Sequence, residues 1–276
     1  MSRVTLTSEL TPLLGKEGVG GGWLETNGQV GTPTHCSWTA ALPQLFAAIV
    51  FCNLASLAQQ APGNPGPVTV DDEGVFEISV GGRPVGSESF KIHSSTIGVE
   101  ARGEIRLNIQ QKGKAVNVRT FPDLVLDSQL HPLTYTWSQQ GPQSSRLEVN
   151  FRSNPARVRY KTVNGSEDDR TFQLPPDVSV LDDNVIHHFQ LIVARFEAMG
   201  GGKQTLPVFV PQEALPSVLT IEEMGNGGAS GGTADAHLRH LVITTDVTQL
   251  ALWVDEQQHL QRVVVPAAQL EALRIK

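Results

Sequence analysis

From Val75 onward, hydrophobic and polar residues alternate along most of the chain. In VFEISV, Phe76, Ile78 and Val80 fall on one side and Glu77 and Ser79 on the other, and Gly81-Gly82 follows as a hairpin signal. The same period of two runs through Ile105, Leu107 and Ile109, then Val116 and Val118, then Leu133, Tyr135 and Trp137, and then Leu147, Val149 and Phe151. Lys112-Gly113, Gly141-Pro142 and Asn164-Gly165 separate the runs as turns. Val158 and Tyr160 continue the inward row, and residues 171–174 read as the returning strand. Beyond residue 203 the pattern predicts strands over 204–210, 217–222, 237–244, 249–254, 260–265 and 270–275.

One stretch breaks the period. In LDDNVIHHFQLIVARFEAM, Leu181 to Met199, the residues Val185, Phe189, Ile192 and Phe196 recur at helical spacing, and Ile186, Leu191 and Val193 widen the stripe. The spacing predicts a helix over 183–199. Asp182 and Asp183 are the N-cap candidates, and Gly200, Gly201 and Gly202 are the stop signal. A helix this apolar needs cover, and a long antiparallel meander needs to curl because its twist accumulates and open edges are a liability. The expected fold is therefore mainly β: an antiparallel meander curled into a closed or half-open barrel around one central α-helix.

Composition narrows the partners. The net charge of −7 argues against a nucleic-acid surface, which needs basic residues. Both cysteines, Cys36 and Cys52, precede the alternating region, so that region has neither a disulfide framework nor a thiolate metal site. The stretch 39–58 reads as a signal-peptide-like segment. Its apolar centre, Leu45 to Phe51, is too short to span a membrane, and Ser56-Leu57-Ala58 supplies the small residues a signal peptidase reads. The expectation is export to the periplasm with cleavage near Ala58, with an uncleaved membrane anchor as the alternative. Residues 1–38 read as an extension without a fold of its own, or as sequence ahead of the true start. Residues 59–72 read as a Pro/Gly-rich linker, and 73–276 as the β domain.

Catalytic patterns are missing. The chain carries no HExxH, and GASGG around Ser230 sits on a glycine loop without the strand–turn–helix context that a nucleophile elbow requires. His187 and His188 are adjacent on the helix and point about 100° apart, so they do not chelate one ion together. His237 and His240 face opposite sides of a strand. No metal or cofactor is expected, and no catalytic residue is assigned; a hydrolase built on His188 and Asp183 would require both to meet in an open cleft. The candidate ligand-binding residues are apolar: Trp137, Tyr160, Phe189, Ile192, Phe196 and Trp253 would line the barrel, either as plain core or around a cavity for a lipid or other hydrophobic small molecule. Arg152, Arg157, Arg159 and Lys161, with Arg146, would share an outer sheet face. That face could meet head groups or an acidic envelope protein, or be balanced by Glu148 and Glu167 to Asp169.

Three stretches, VFEISVGGRPVGSESFKI, LDDNVIHHFQLIV and LALWVDEQQHLQRVVVPAAQLEALRI, resemble an uncharacterised bacterial family of periplasmic β-barrel proteins, over Gly74 to Lys276. That family in turn looks like the half-barrel-around-a-helix of lipoprotein carriers. The resemblance implies an exported, non-enzymatic barrel that binds an apolar ligand or assists cell-envelope assembly, and it brings no catalytic residues with it.

Overall fold

The computed structural model describes residues 66–111, 114–141, 144–162, 164–225 and 237–276. The leader-like segment 39–58, both cysteines and the glycine loop from 226 lie outside the described residues. The chain forms β1 (Asp72–Val80), β2 (Arg83–Ser95), β3 (Gly98–Gln111), β4 (Lys114–Leu126), β5 (Pro132–Gln140), β6 (Ser145–Asn150), β7 (Ala156–Thr162), β8 (Glu167–Phe172) and β9 (Ser179–Val180). Helix α1 (His187–Ala198) follows, and then β10 (Lys203–Val210), β11 (Leu215–Glu223), β12 (Arg239–Thr244), β13 (Gln249–Val254), β14 (Leu260–Val265) and β15 (Leu270–Arg274).

These strands form one sheet in the order β8-β7-β6-β5-β4-β3-β2-β1-β15-β14-β13-β12-β11-β10-β9. Sequential neighbours pair antiparallel, as a meander should, while β9 joins β10 in parallel. The first and last strands meet in the middle, Phe76 opposite Arg274 and Val80 opposite Leu270. The sheet is not closed; β8 and β9 are its two edges.

Strands from across this sheet reach the same helix. Phe90 of β2 stacks on His187, Tyr135 of β5 meets His188 edge-on, Ser179 of β9 bonds Arg195, and Leu260 of β14 bonds Gln190. The sheet therefore curls round α1, and every helix residue from His187 to Phe196 is buried. The stripe read from the sequence is only the most apolar part of a helix enclosed on all sides.

The helix starts later than expected and is capped differently. It begins at His187, not at residue 183, and neither aspartate caps it. Asn184 takes a left-handed φ of 58° in a turn closed by the Val185 amide on the Asp182 carbonyl, so the backbone enters the helix only afterwards. The cap comes from the sheet: the Glu88 carboxylate accepts from the Ile186 and His187 amides at 2.7 Å each. The glycine stop is where the sequence put it, with φ of 89°, 69° and 80° at Gly200, Gly201 and Gly202.

The sheet's two ends overlap. Leu206, Val208 and Val210 of β10 are buried and face inward, so Phe209 points to the other side, yet it is 0% exposed. It is covered by Phe172 of β8, with ring centroids 5.1 Å apart, and by Phe151 after β6, at 6.2 Å. Phe172 shares a face with Ala156, its partner across the ladder, and Phe151 continues the inward row of Leu147 and Val149. The inner face of β6 to β8 thus lies on the outer face of β10, and the sheet rolls past itself along a side-chain seam. Beyond the seam, β8 is protected as an edge strand by charge: Glu167 to Arg170 are all exposed.

Candidate functional site

Two places hold the polar chemistry of the interior, one at each end of α1. At its N-terminus lies a sealed cluster. Glu88 Oε1 receives both the His187 amide and His187 Nδ1, at 2.7 Å each, so that nitrogen carries the proton. His188 Nδ1 accepts the Asp182 amide at 3.2 Å, which puts its proton on Nε2. Tyr135 Oη donates to Asp182 Oδ2, the Gln212 amide donates to Asp182 Oδ1 at 2.9 Å, and Gln212 Nε2 donates to the Asp183 carbonyl. Burial pushes Asp182 up to about 6 despite these donors. Burial, and then the neighbouring His187, push His188 well below its ordinary value, so it stays neutral.

Glu88, Tyr135, His187 and His188 are all 0% exposed and Asp182 is 1%. Nothing can reach them without unfolding, so a hydrolase built on His188 and Asp183 has no cleft to work in. The cluster sets where the helix begins. Gly103 of β3 makes room for it, because a Cβ there would lie 2.8 Å from the His187 ring.

The expected aromatic lining divides. Phe189 and Phe196 are 0% exposed, Ile192 is 1% and Trp137 is 5%, all within the core, with Tyr160 partly buried at its margin. Trp253 is not there. Leu250, Leu252 and Val254 take the inward positions of β13, so the period of two turns Trp253 outward. It is covered there by His240, stacked with centroids 4.9 Å apart, and by the Arg262 guanidinium 4.7 Å from the ring.

Arg146, Arg157, Arg159 and Lys161 of the basic row share one sheet face, while Arg152 lies in the β6–β7 connection. Arg146 stands opposite Lys161, and Arg159 lies between Glu148 and Asp169. Its charges are largely matched: Arg146 to Glu148, Arg157 to Asp169, and Lys161 to Glu167. Arg159 reaches Asp169 only at 3.7 Å, and Arg152 forms no ion pair among the described residues.

The second place is a groove of about 680 Å³ at the mouth of the seam. Its walls are the β4–β5 turn (Asp127, His131, Pro132), the β6–β7 turn (Phe151, Ser153, Asn154, Ala156) and the connection into β9 (Leu174, Pro175, Pro176, Asp177, Val178). Its volume falls within the range of small-molecule sites, and about half of its wall is apolar. Asp127 and His131 suggest an acid–base dyad, with His131 Nδ1 3.0 Å from Asp127 Oδ2. Asp127 Oδ1, however, accepts the Gln129 and His131 amides, and Leu130 takes a φ of 64°. Asp255 repeats the device, accepting from the Gln257 and His259 amides with Gln258 at 67°. An Asp-x-x-x-His turn built twice is turn chemistry.

Sequence reasoning missed Glu88, Phe209 and Leu174 to Val178. Glu88 was legible: it has the parity of Phe90 and Ile92, a carboxylate in an inward row. Phe209 was not, because only the overlap makes its outward face dry. Among the described residues no group of three or more His, Cys, Asp or Glu side chains is placed to hold a metal ion, and no helix is long and apolar enough to cross a membrane.

No protein-family model matches the chain, and no curated protein matches it. Among solved structures, it is similar to a beta-barrel-like protein of domain of unknown function DUF1849 from Brucella abortus. The TM-score is 0.51 at 8% identity, over 76% of this chain and 97% of that one. A DUF1089 family protein from Pseudomonas aeruginosa aligns with a TM-score of 0.40 at 11% identity, over 63% of this chain and 86% of that one. The first likeness is one of fold alone: a mainly β, barrel-like architecture.

Proposed function

We propose that this is an exported, non-enzymatic binding protein of the cell envelope, taking an apolar or lipid-like ligand in the seam groove and not between sheet and helix. The observation that supports it is the contrast in access. The interior groups capable of acid–base work are sealed, whereas the groove is open and walled by Phe151, Leu174, Pro132, Pro175 and Pro176. Export rests on the leader-like pattern of residues 39–58.

Purifying the protein from its own envelope fraction, sequencing the mature N-terminus and extracting bound lipid tests both parts. The expected result is a chain beginning at Gln59 and one co-purifying amphiphile that Leu174→Asp displaces. A protein found intact in the cytosol, repeatedly free of lipid, would overturn the reading. A partner-binding module using the basic sheet face is the second reading. It draws only on Arg152 and the loosely held Arg159, since carboxylates already occupy the other cations.

A further inference from the structure

The titratable side chains on the lining of the seam groove are Asp127, His131 and Asp177, and no lysine or arginine stands among them. The two carboxylates are held in different ways. Asp127 opens the β4–β5 turn, which fixes it: Oδ1 accepts the Gln129 and His131 amides, and Oδ2 lies 3.0 Å from His131 Nδ1. Partial burial acts to raise its pKa, yet these donors outweigh that and hold the carboxyl below its usual value. Asp127 is thus a fixed negative charge at neutral pH. Asp177 lies exposed in the connection into β9, and no hydrogen bond or ion pair engages its carboxylate among the described residues. Its oxygens are free to accept.

Apolar surface leads away from this acceptor. Leu174, Pro175 and Pro176 directly precede Asp177, and Phe151 and Pro132 line the same groove. Proline has no N–H, so the Pro175-Pro176 stretch brings carbonyl oxygens and no backbone donor. The Ser153 hydroxyl on the β6–β7 side already donates to the Asn150 carbonyl. The lining is therefore rich in acceptors and negative in sign. Arg195 acts against that sign: both aspartates feel its charge, but it is 8% exposed, is bonded to Ser179 Oγ and does not line the groove. It softens the field without offering a contact.

We infer that the seam groove takes a single-chain amphiphile with a cationic, N–H-donating head: the ammonium on the Asp177 carboxylate, in the field of Asp127, and the chain along Leu174, the prolines and Phe151. The inference rests on the groove reading above and adds the sign and the hydrogen-bonding character of the head group.

The test is calorimetric titration of the full chain at pH 7 with three probes of equal chain length: decylammonium, decanol and decanoate. Decylammonium should bind about fivefold more tightly than decanol, the upper end for an ion pair open to water, and decanoate most weakly. Asp177→Asn keeps the shape of an exposed side chain and removes its charge. It should bring decylammonium close to the affinity of decanol and leave decanol as it was. Glu77→Gln removes the same charge from the exposed face of β1, outside the groove, and should change none of the three. Ser153→Trp on the rim should change emission as decanol or decylammonium binds. Equal affinity for ammonium and alcohol, an ammonium preference that survives Asp177→Asn, or one that Glu77→Gln reduces as much, would overturn the charge assignment and leave the groove as a plain apolar site. Failure of all three probes to bind, or binding that the rim tryptophan does not register, would overturn the groove reading and this inference with it.

Discussion

The two ends of α1 carry buried charge in opposite ways. At the N-terminus, Glu88 meets two amides and an imidazole, and Asp182 meets a phenol and an amide, while His187 Nε2 and His188 Nε2 are buried with no partner among the described residues. At the C-terminus, Arg195 has one hydroxyl, from Ser179, and no carboxylate pairs with it among the described residues. A buried polar group whose partners are supplied by the fold is part of the architecture, because its bonds already offset its desolvation. Residue type alone draws attention to the sealed end, where the histidines and the acid pair lie.

Four measurements would break or sharpen that contrast. Glu88→Ala should have the largest effect, about 3–5 kcal/mol in urea unfolding, because it leaves two helix amides and His187 buried without an acceptor. Glu88→Gln, which keeps a carbonyl oxygen, should cost less; equal losses would remove the capping role. Gly103→Ala should cost about 1–3 kcal/mol by driving a methyl group into the His187 ring, and no loss would mean that the ring is loosely held.

The pH dependence comes next. Asp182 has its pKa raised to about 6 from 3.8, so the folded state holds a proton that the unfolded chain has released. Its contribution falls as pH rises through that window, by about 2 kcal/mol between pH 4.5 and 6.5. His188 has a depressed pKa, so the unfolded chain binds the extra proton and stability rises toward pH 6.5. The two oppose each other. Asp182→Asn should therefore gain more stability than the parent chain between pH 4.5 and 6.5, and identical slopes would show that burial does not raise the Asp182 pKa. The smallest effect is expected on the outer face, where Arg157→Gln should leave the unfolding midpoint unmoved because its pair with Asp169 is solvent-exposed. A clear drop would mean that the ionic face contributes to the fold.

Much of the fold was legible from the sequence because it is local. Alternation marked the meander, Gly81-Gly82 and Asn164-Gly165 its turns, and the period change at Leu181 the helix α1. The helix start was misjudged because Asp182 and Asp183 satisfy a local capping pattern, while the competing cap, Glu88, lies 98 residues away from Ile186. Trp253 was placed among the apolar lining residues, although its neighbours Leu252 and Val254 take the inward parity. The groove was invisible because its three walls come from turns far apart in the chain.

What the sequence determined alone was periodicity: which residues pair into strands, where the chain turns, and that one apolar helix needs cover, since these follow from neighbours a few positions apart. What only the tertiary structure decided was closure. The sheet overlaps instead of joining, so Phe209 is dry on its outward side and a groove opens at the mouth of the seam. That choice depends on twist summed over the whole sheet, a quantity no short window of sequence contains.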